Sequence, residues 1–129
     1  MIKVVPQEIS RVFLNLLSNA FYSVQEKSKK HTNEYVPLIK VKTENHTDSI
    51  LISIWDNGLG LDQEALSKVF TPFCTTKPPG EGTGLGLSLS YNIIVQGHQG
   101  SLSVNTYLDE FAEFVIILPI DHKIKSIYV

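Results

Sequence analysis

The chain has 129 residues, 43% hydrophobic and 19% charged, with a formal net charge of -2. That length holds one domain with its own core and needs no disulfide or metal staples. The composition excludes a disordered chain, and the near-neutral charge leaves no polybasic field for nucleic acid. A single cysteine, Cys74, cannot close an internal disulfide, and the four histidines (His31, His46, His98 and His122) show no metal spacing. The sequence shows no signal peptide, and no apolar run nears the roughly 18 residues of a membrane span. These features point to a reducing, cytoplasmic setting and leave open a membrane anchor elsewhere in a full-length protein.

From residue 7 to about 28, Ile9, Val12, Phe13, Leu16, Leu17, Ala20 and Val24 recur at helical intervals, with Pro6 at the entrance. A polar connection follows, Glu26 to Glu34. Pro37 to Thr43 alternates Ile39 and Val41 against Lys40 and Lys42, which predicts a half-buried strand. Ser49 to Trp55 is apolar on much of both faces and is expected to be a central strand. The intervening Asn45-His46-Thr47-Asp48 is turn chemistry, so the two strands are expected to pair as a hairpin. Asp62 to Val69 reads as a short helix with Asp62 as N-cap. Residues 71–83, rich in Pro, Gly and Thr, form a loop long enough to be functional. A second helix is expected from about Leu85 to Gln96, stopped by Gly97. Leu102 and Val104, then Phe111 to Leu118, supply two more strands joined near Asp109-Glu110. This order predicts a two-layer α/β sandwich with helices on one face of a mixed sheet.

Three segments could carry chemistry. Asn15 and Asn19 lie four apart, so on a helix they share a face; an amide oxygen there can complete the shell of a Mg²⁺, and surface or capping amides are the plain alternative. Asp56 ends a strand and is followed by Gly58 and Gly60. A carboxylate there can accept from an exocyclic amine such as adenine N6, and an ordinary Asp-Asn-Gly turn is the competing explanation. Gly82-Thr83-Gly84-Leu85-Gly86 opens a helix, where free N–H groups favour phosphate. It is not a P-loop, because no Lys follows Gly86. The dinucleotide fingerprint fails at Leu87. Lys77, in the long loop beside Thr75 and Thr76, could reach a terminal phosphate when the loop closes or simply be a solvated lysine. Phe70 and Phe73 flank the start of that loop.

In this order the segments resemble the catalytic ATP-binding domain of two-component sensor histidine kinases, within the wider group of gyrase, Hsp90-type and mismatch-repair ATPases. Asn15-Leu-Leu-Ser-Asn19-Ala is similar to the N box of that family. Asp56-Asn-Gly58-Leu-Gly60 is similar to the G1 box, Phe70-Thr-Pro-Phe73-Cys-Thr-Thr-Lys77 to the F box, and Gly82-Thr-Gly84-Leu-Gly86-Leu to the G2 box. Phe114-Val-Ile-Ile-Leu-Pro119 is similar to the closing strand. The likeness covers nearly the whole chain. It departs at Tyr22, where many relatives carry a basic residue, at Phe111-Ala112-Glu113-Phe114, often Gly-Thr-x-Phe, and in lacking a phosphoacceptor H box.

The resemblance implies a Bergerat-type α/β two-layer sandwich, its mixed sheet largely antiparallel, as one domain over residues 1–129 with an ATP lid at about 71–83. It implies ATP and Mg²⁺, with Asn19 as metal ligand, Asn15 near the phosphates and Asp56 on adenine N6. Gly58 and Gly60 would lie beside the ring, and Gly82, Thr83, Gly84, Leu85 and Gly86 would frame the phosphates. Phe70 and Thr76 join the nucleotide-contacting set, and Asn15 and Lys77 are the catalytic candidates. The implied activity is transfer of the ATP γ-phosphoryl to a histidine on a separate dimerisation domain expected upstream, in a homodimeric full-length protein that serves a response regulator. ATP hydrolysis of the gyrase kind is the alternative. It is disfavoured because Asn15 stands where that branch has a water-activating Glu. A nucleotide-binding module inactive in isolation is the third reading.

Overall fold

A computed structural model describes residues 6–30, 34–70 and 86–119. Helix α1 (Pro6–Lys30) begins at its proline, whose missing N–H costs nothing in a first turn. Strands β1 (Ile39–Asn45) and β2 (Ser49–Asp56) form the expected hairpin, closed by a His46 N–H to Ser49 O bond of 2.8 Å. Helix α2 (Gln63–Ser67) is capped as expected, the Asp62 carboxylate accepting from the Ala65 N–H at 2.7 Å. Helix α3 (Gly86–Asn92) runs into a π-helical turn (Ile93–Gly97), and strands β3 (Ser101–Tyr107) and β4 (Phe111–Pro119) complete the fold.

The sheet order is β1-β2-β4-β3, and every pairing among the described residues is antiparallel. The sheet is thus found in its antiparallel part; the parallel pairing implied by a mixed sheet does not occur among these residues. β2 is central, as its two-sided apolar character predicts. Ile52 and Ile54 of β2, Phe114, Ile116 and Leu118 of β4 and Leu102 of β3 alternate onto the face that packs against Ile9, Val12, Leu16 and Ala20 of α1 and Ile93 and Ile94 of the π turn. On the opposite face Trp55 stacks with Phe111, and the Lys40 ammonium lies over the Trp55 ring.

One expectation is corrected. Gly97 does not stop the second helix; the chain passes through it in the π turn and leaves the helix at His98. The buried His98 donates through Nδ1 to Ile93 O at 2.9 Å, and Gly100 N–H bonds Ile94 O at 2.8 Å. The left-handed residue is therefore Gln99, at φ 57°. A glycine signals helix termination only when the left-handed conformation falls on it, and here tertiary packing shifts that position by two residues.

Candidate functional site

The site is built where β2 leaves the sheet. Asp56, its last residue, is 3% exposed, with Ile39 of β1 and Ala112 of β4 as its register neighbours. A carboxylate so enclosed resists ionisation, and burial pushes the Asp56 pKa up to about 6. The Gly58 N–H (2.8 Å to Oδ1), the Ser23 hydroxyl and the positive charge of Lys27 oppose that rise.

The loop that follows is clamped on three sides. Asn57 turns back onto the segment before β1: its Oδ1 accepts from Leu38 N–H at 2.8 Å and from the Tyr35 hydroxyl at 3.0 Å, and its Nδ2 donates to Val36 O at 2.8 Å. From α1, Ser23 Oγ accepts the Leu59 N–H at 2.7 Å. From the β3–β4 hairpin, Thr106 Oγ1 accepts the Leu61 N–H at 2.9 Å and Asp109 N–H reaches Leu59 O at 2.6 Å. Lys27 closes the circuit by donating to Asp109 O while its ammonium lies over the Tyr35 ring. Gly58 and Gly60 owe their identity here to these neighbours. A Cβ on Gly58 would collide with Ser23 of α1, and Gly60, at φ 66°, would collide with Tyr107 O.

The amide face of α1 lies beside this loop. Asn15 Nδ2 donates to Gly86 O and to Ser90 Oγ, both at 3.2 Å, and Ser90 Oγ donates to Gly86 O at 2.8 Å. Asn15 and Gly86 are thus brought together, and the first turn of α3 is tied to α1. Asn19, one turn further on, is half-buried. Asn15, Asn19, Ser23 and Lys27 follow at intervals of four, a polar ridge rising roughly 18 Å along α1 from the start of α3 to the β3–β4 turn. Sequence reasoning singled out the first two and missed the others, although the i, i+4 spacing that paired Asn15 with Asn19 extends unbroken to Lys27.

Phe70 packs inward, stacked on Tyr91 at 5.0 Å and edge-on to Phe114 at 6.5 Å, so it anchors the end of the α2 segment to the core. Tyr22 reaches the Glu26 carboxylate one turn away. Thr76, Lys77, Gly82, Thr83, Gly84 and Leu85, with the lid expected at 71–83, lie outside the described residues. Among the described residues no cluster of His, Cys, Asp or Glu could cage a metal, and no helix is long and apolar enough to cross a membrane. A magnesium site need not be such a cage: this ion keeps waters and takes phosphate oxygens besides one or two protein ligands, so the amide oxygen of Asn19 fits its preferences.

Over residues 4–122 the chain matches the family described as histidine kinase-, DNA gyrase B-, and HSP90-like ATPase. Its relatives include the signal transduction histidine-protein kinase AtoS of Escherichia coli K12, 40% identical over 114 residues, 88% of this chain and 17% of that protein. Sensor histidine kinase ZraS of Salmonella typhimurium is 35% identical over 116 residues, 89% of this chain and 22% of that protein. Sporulation kinase E of Bacillus subtilis is 36% identical over 115 residues, 89% of this chain and 14% of that protein. The chain therefore spans between 14% and 22% of these relatives. In structure it matches the nucleotide-free catalytic domain of histidine kinase ThkA with a TM-score of 0.72 at 30% identity, covering 92% of this chain and 71% of that one. The chain belongs to the histidine kinase-, DNA gyrase B- and HSP90-like ATPase family and has the fold of its histidine kinase catalytic domains.

Proposed function

We propose that this chain is the ATP-binding catalytic unit of a sensor histidine kinase, transferring the γ-phosphoryl of ATP to a histidine on a dimerisation domain that in turn serves a response regulator. The full-length protein is a homodimer, works in the cytoplasm and does not act on nucleic acid. The observation that carries this reading is Asp56. It is a buried acceptor at the end of the central strand, in a loop clamped from three sides, and so is already positioned before a purine amino group arrives.

Asp56 holds the adenine, with the backbone at Gly58 and Gly60 alongside. Asn19 would hold Mg²⁺, whose charge would neutralise the phosphates. Asn15 fixes the start of α3 beside the phosphates, with residues 82–86 framing them and Lys77 supplying a cation from the lid. Phosphoryl transfer asks mainly for such positioning and charge neutralisation. Hydrolysis is the weaker reading. An amide cannot serve as a general base near neutral pH, and the Asn15 Nδ2 is committed to Gly86 and Ser90.

The test is to mix the chain with a histidine-bearing dimerisation domain and γ-labelled Mg·ATP. Acid-labile label on the acceptor histidine is expected. ATP consumption with no label on the acceptor would support the hydrolase reading instead.

A further inference from the structure

The carboxylate of Asp56 has no side-chain donor within its sheet. Its register neighbours, Ile39 and Ala112, are apolar. Its donor comes from the next turn, the Gly58 N–H at 2.8 Å; the Ser23 hydroxyl of α1, packed against Gly58, favours the charged form of the acid. That hydroxyl is itself held. The Leu59 N–H donates to Ser23 Oγ at 2.7 Å, which occupies an acceptor lone pair and leaves the hydroxyl proton as the one donor of the group. Ser23 can sit there only because residue 58 has no Cβ. The other charged and titratable groups facing the carboxylate are Lys27 of α1 and Tyr35 of the segment before β1, and the Lys27 ammonium is engaged by Asp109 O and the Tyr35 ring.

We propose that Ser23 is a positioning residue for base recognition: its hydroxyl, oriented by the Leu59 backbone, holds the Asp56 carboxylate in place as the acceptor for a purine amino group. The inference rests on the nucleotide-binding reading above. It gives the polar ridge of α1 a division of labour, with Asn15 serving the phosphate end and Ser23 the base end. A hydrogen bond to the charged form of an acid favours that form, so removing the hydroxyl makes Asp56 harder to ionise as well as less well held.

The experiment compares the wild-type chain with Ser23→Ala and Ser23→Thr in two measurements. The first is the carboxyl ¹³C titration of Asp56 in the free chain, its signal identified with Asp56→Asn. The second is Mg·ATP affinity by calorimetry at pH 7.5. In Ser23→Ala the titration midpoint is expected to rise by about one pH unit and the affinity to fall about tenfold, the worth of one hydrogen bond to a charged group. Ser23→Thr, which keeps the hydroxyl, is expected to stay near wild type in both. A lower melting temperature with the midpoint and affinity unchanged would reduce Ser23 to a packing residue and overturn the proposal, as would a raised midpoint with unchanged affinity. A wild-type chain that titrates normally but binds no Mg·ATP would overturn the nucleotide reading itself. That result is recognisable because the carboxyl titration needs no ligand.

Discussion

Asp56 is where function and stability oppose each other. Its folded pKa of about 6 lies above the ordinary carboxylate value, so burial of the acid is tolerated below that ordinary value and works against the fold as pH rises through about 6. The charged form then costs on the order of 3 kcal/mol at neutral pH. Asp56→Asn removes that cost and keeps an acceptor for the Gly58 N–H. Chemical denaturation at pH 7.5 is expected to find this variant more stable than wild type by about 1–2 kcal/mol, a gain that disappears as pH falls towards 4. The same substitution places an amide where the ligand amine needs a full acceptor. Calorimetry is expected to show at least a tenfold loss of Mg·ATP affinity. In the wild-type chain that affinity should be level above pH 7 and fall as pH drops through about 6; a level profile down to pH 5 would contradict the role given to the ionised acid. Taken alone, Asp56 reads as an ordinary Asp-Asn-Gly turn; the sequence singles it out only in company, as part of the ordered resemblance to the N, G1, F and G2 boxes. Helical spacing puts Ser23 on the polar ridge with Asn15 and Asn19, but its partner in the loop after β2 lies 36 residues on and leaves no local pattern.

Among the elements, α1 was the most readable and has the most roles. Its apolar stripe carries the core and its polar ridge carries the site, and both follow from helical spacing alone. The two hairpins were legible from alternation and turn residues. The glycines after β2 were expected beside a ring, and the bracing of their loop by Ser23, Asn57, Thr106 and Asp109 was not foreseen. Those bonds join segments far apart in sequence, so no local pattern could disclose them. The π turn escaped for a related reason. Its geometry is set by the buried His98 and by Gly100, which lies so close to β4 that a Cβ would collide with Ile117 O. It leaves Gln99 at φ 57°, a conformation that a side chain disfavours. Gln99→Gly is therefore expected to stabilise the domain by about 0.5–1 kcal/mol in denaturant titrations, with nucleotide affinity unchanged. A loss of stability would mean that the Gln99 side chain makes a contact worth more than the strain.

At the scale of the whole molecule, the fold class was legible because the order helix, hairpin, short helix, helix, hairpin allows few layered arrangements. An antiparallel sheet covered on one face leaves Asp56 at the end of its central strand and lays α1 across it, so the base end and the phosphate end of a ligand would meet the same helix. The described part of the molecule thus contains Asp56, Asn19 and the seat of α3, which are proposed to form one nucleotide site as base anchor, metal amide and phosphate end. The most direct test is a crystal structure of the chain with Mg²⁺ and a non-hydrolysable ATP analogue. The purine amino group is expected within hydrogen-bonding distance of the Asp56 carboxylate, and the phosphates between Asn19 and the start of α3. A purine bound away from Asp56, with that carboxylate still enclosed by its own chain, would contradict that expectation.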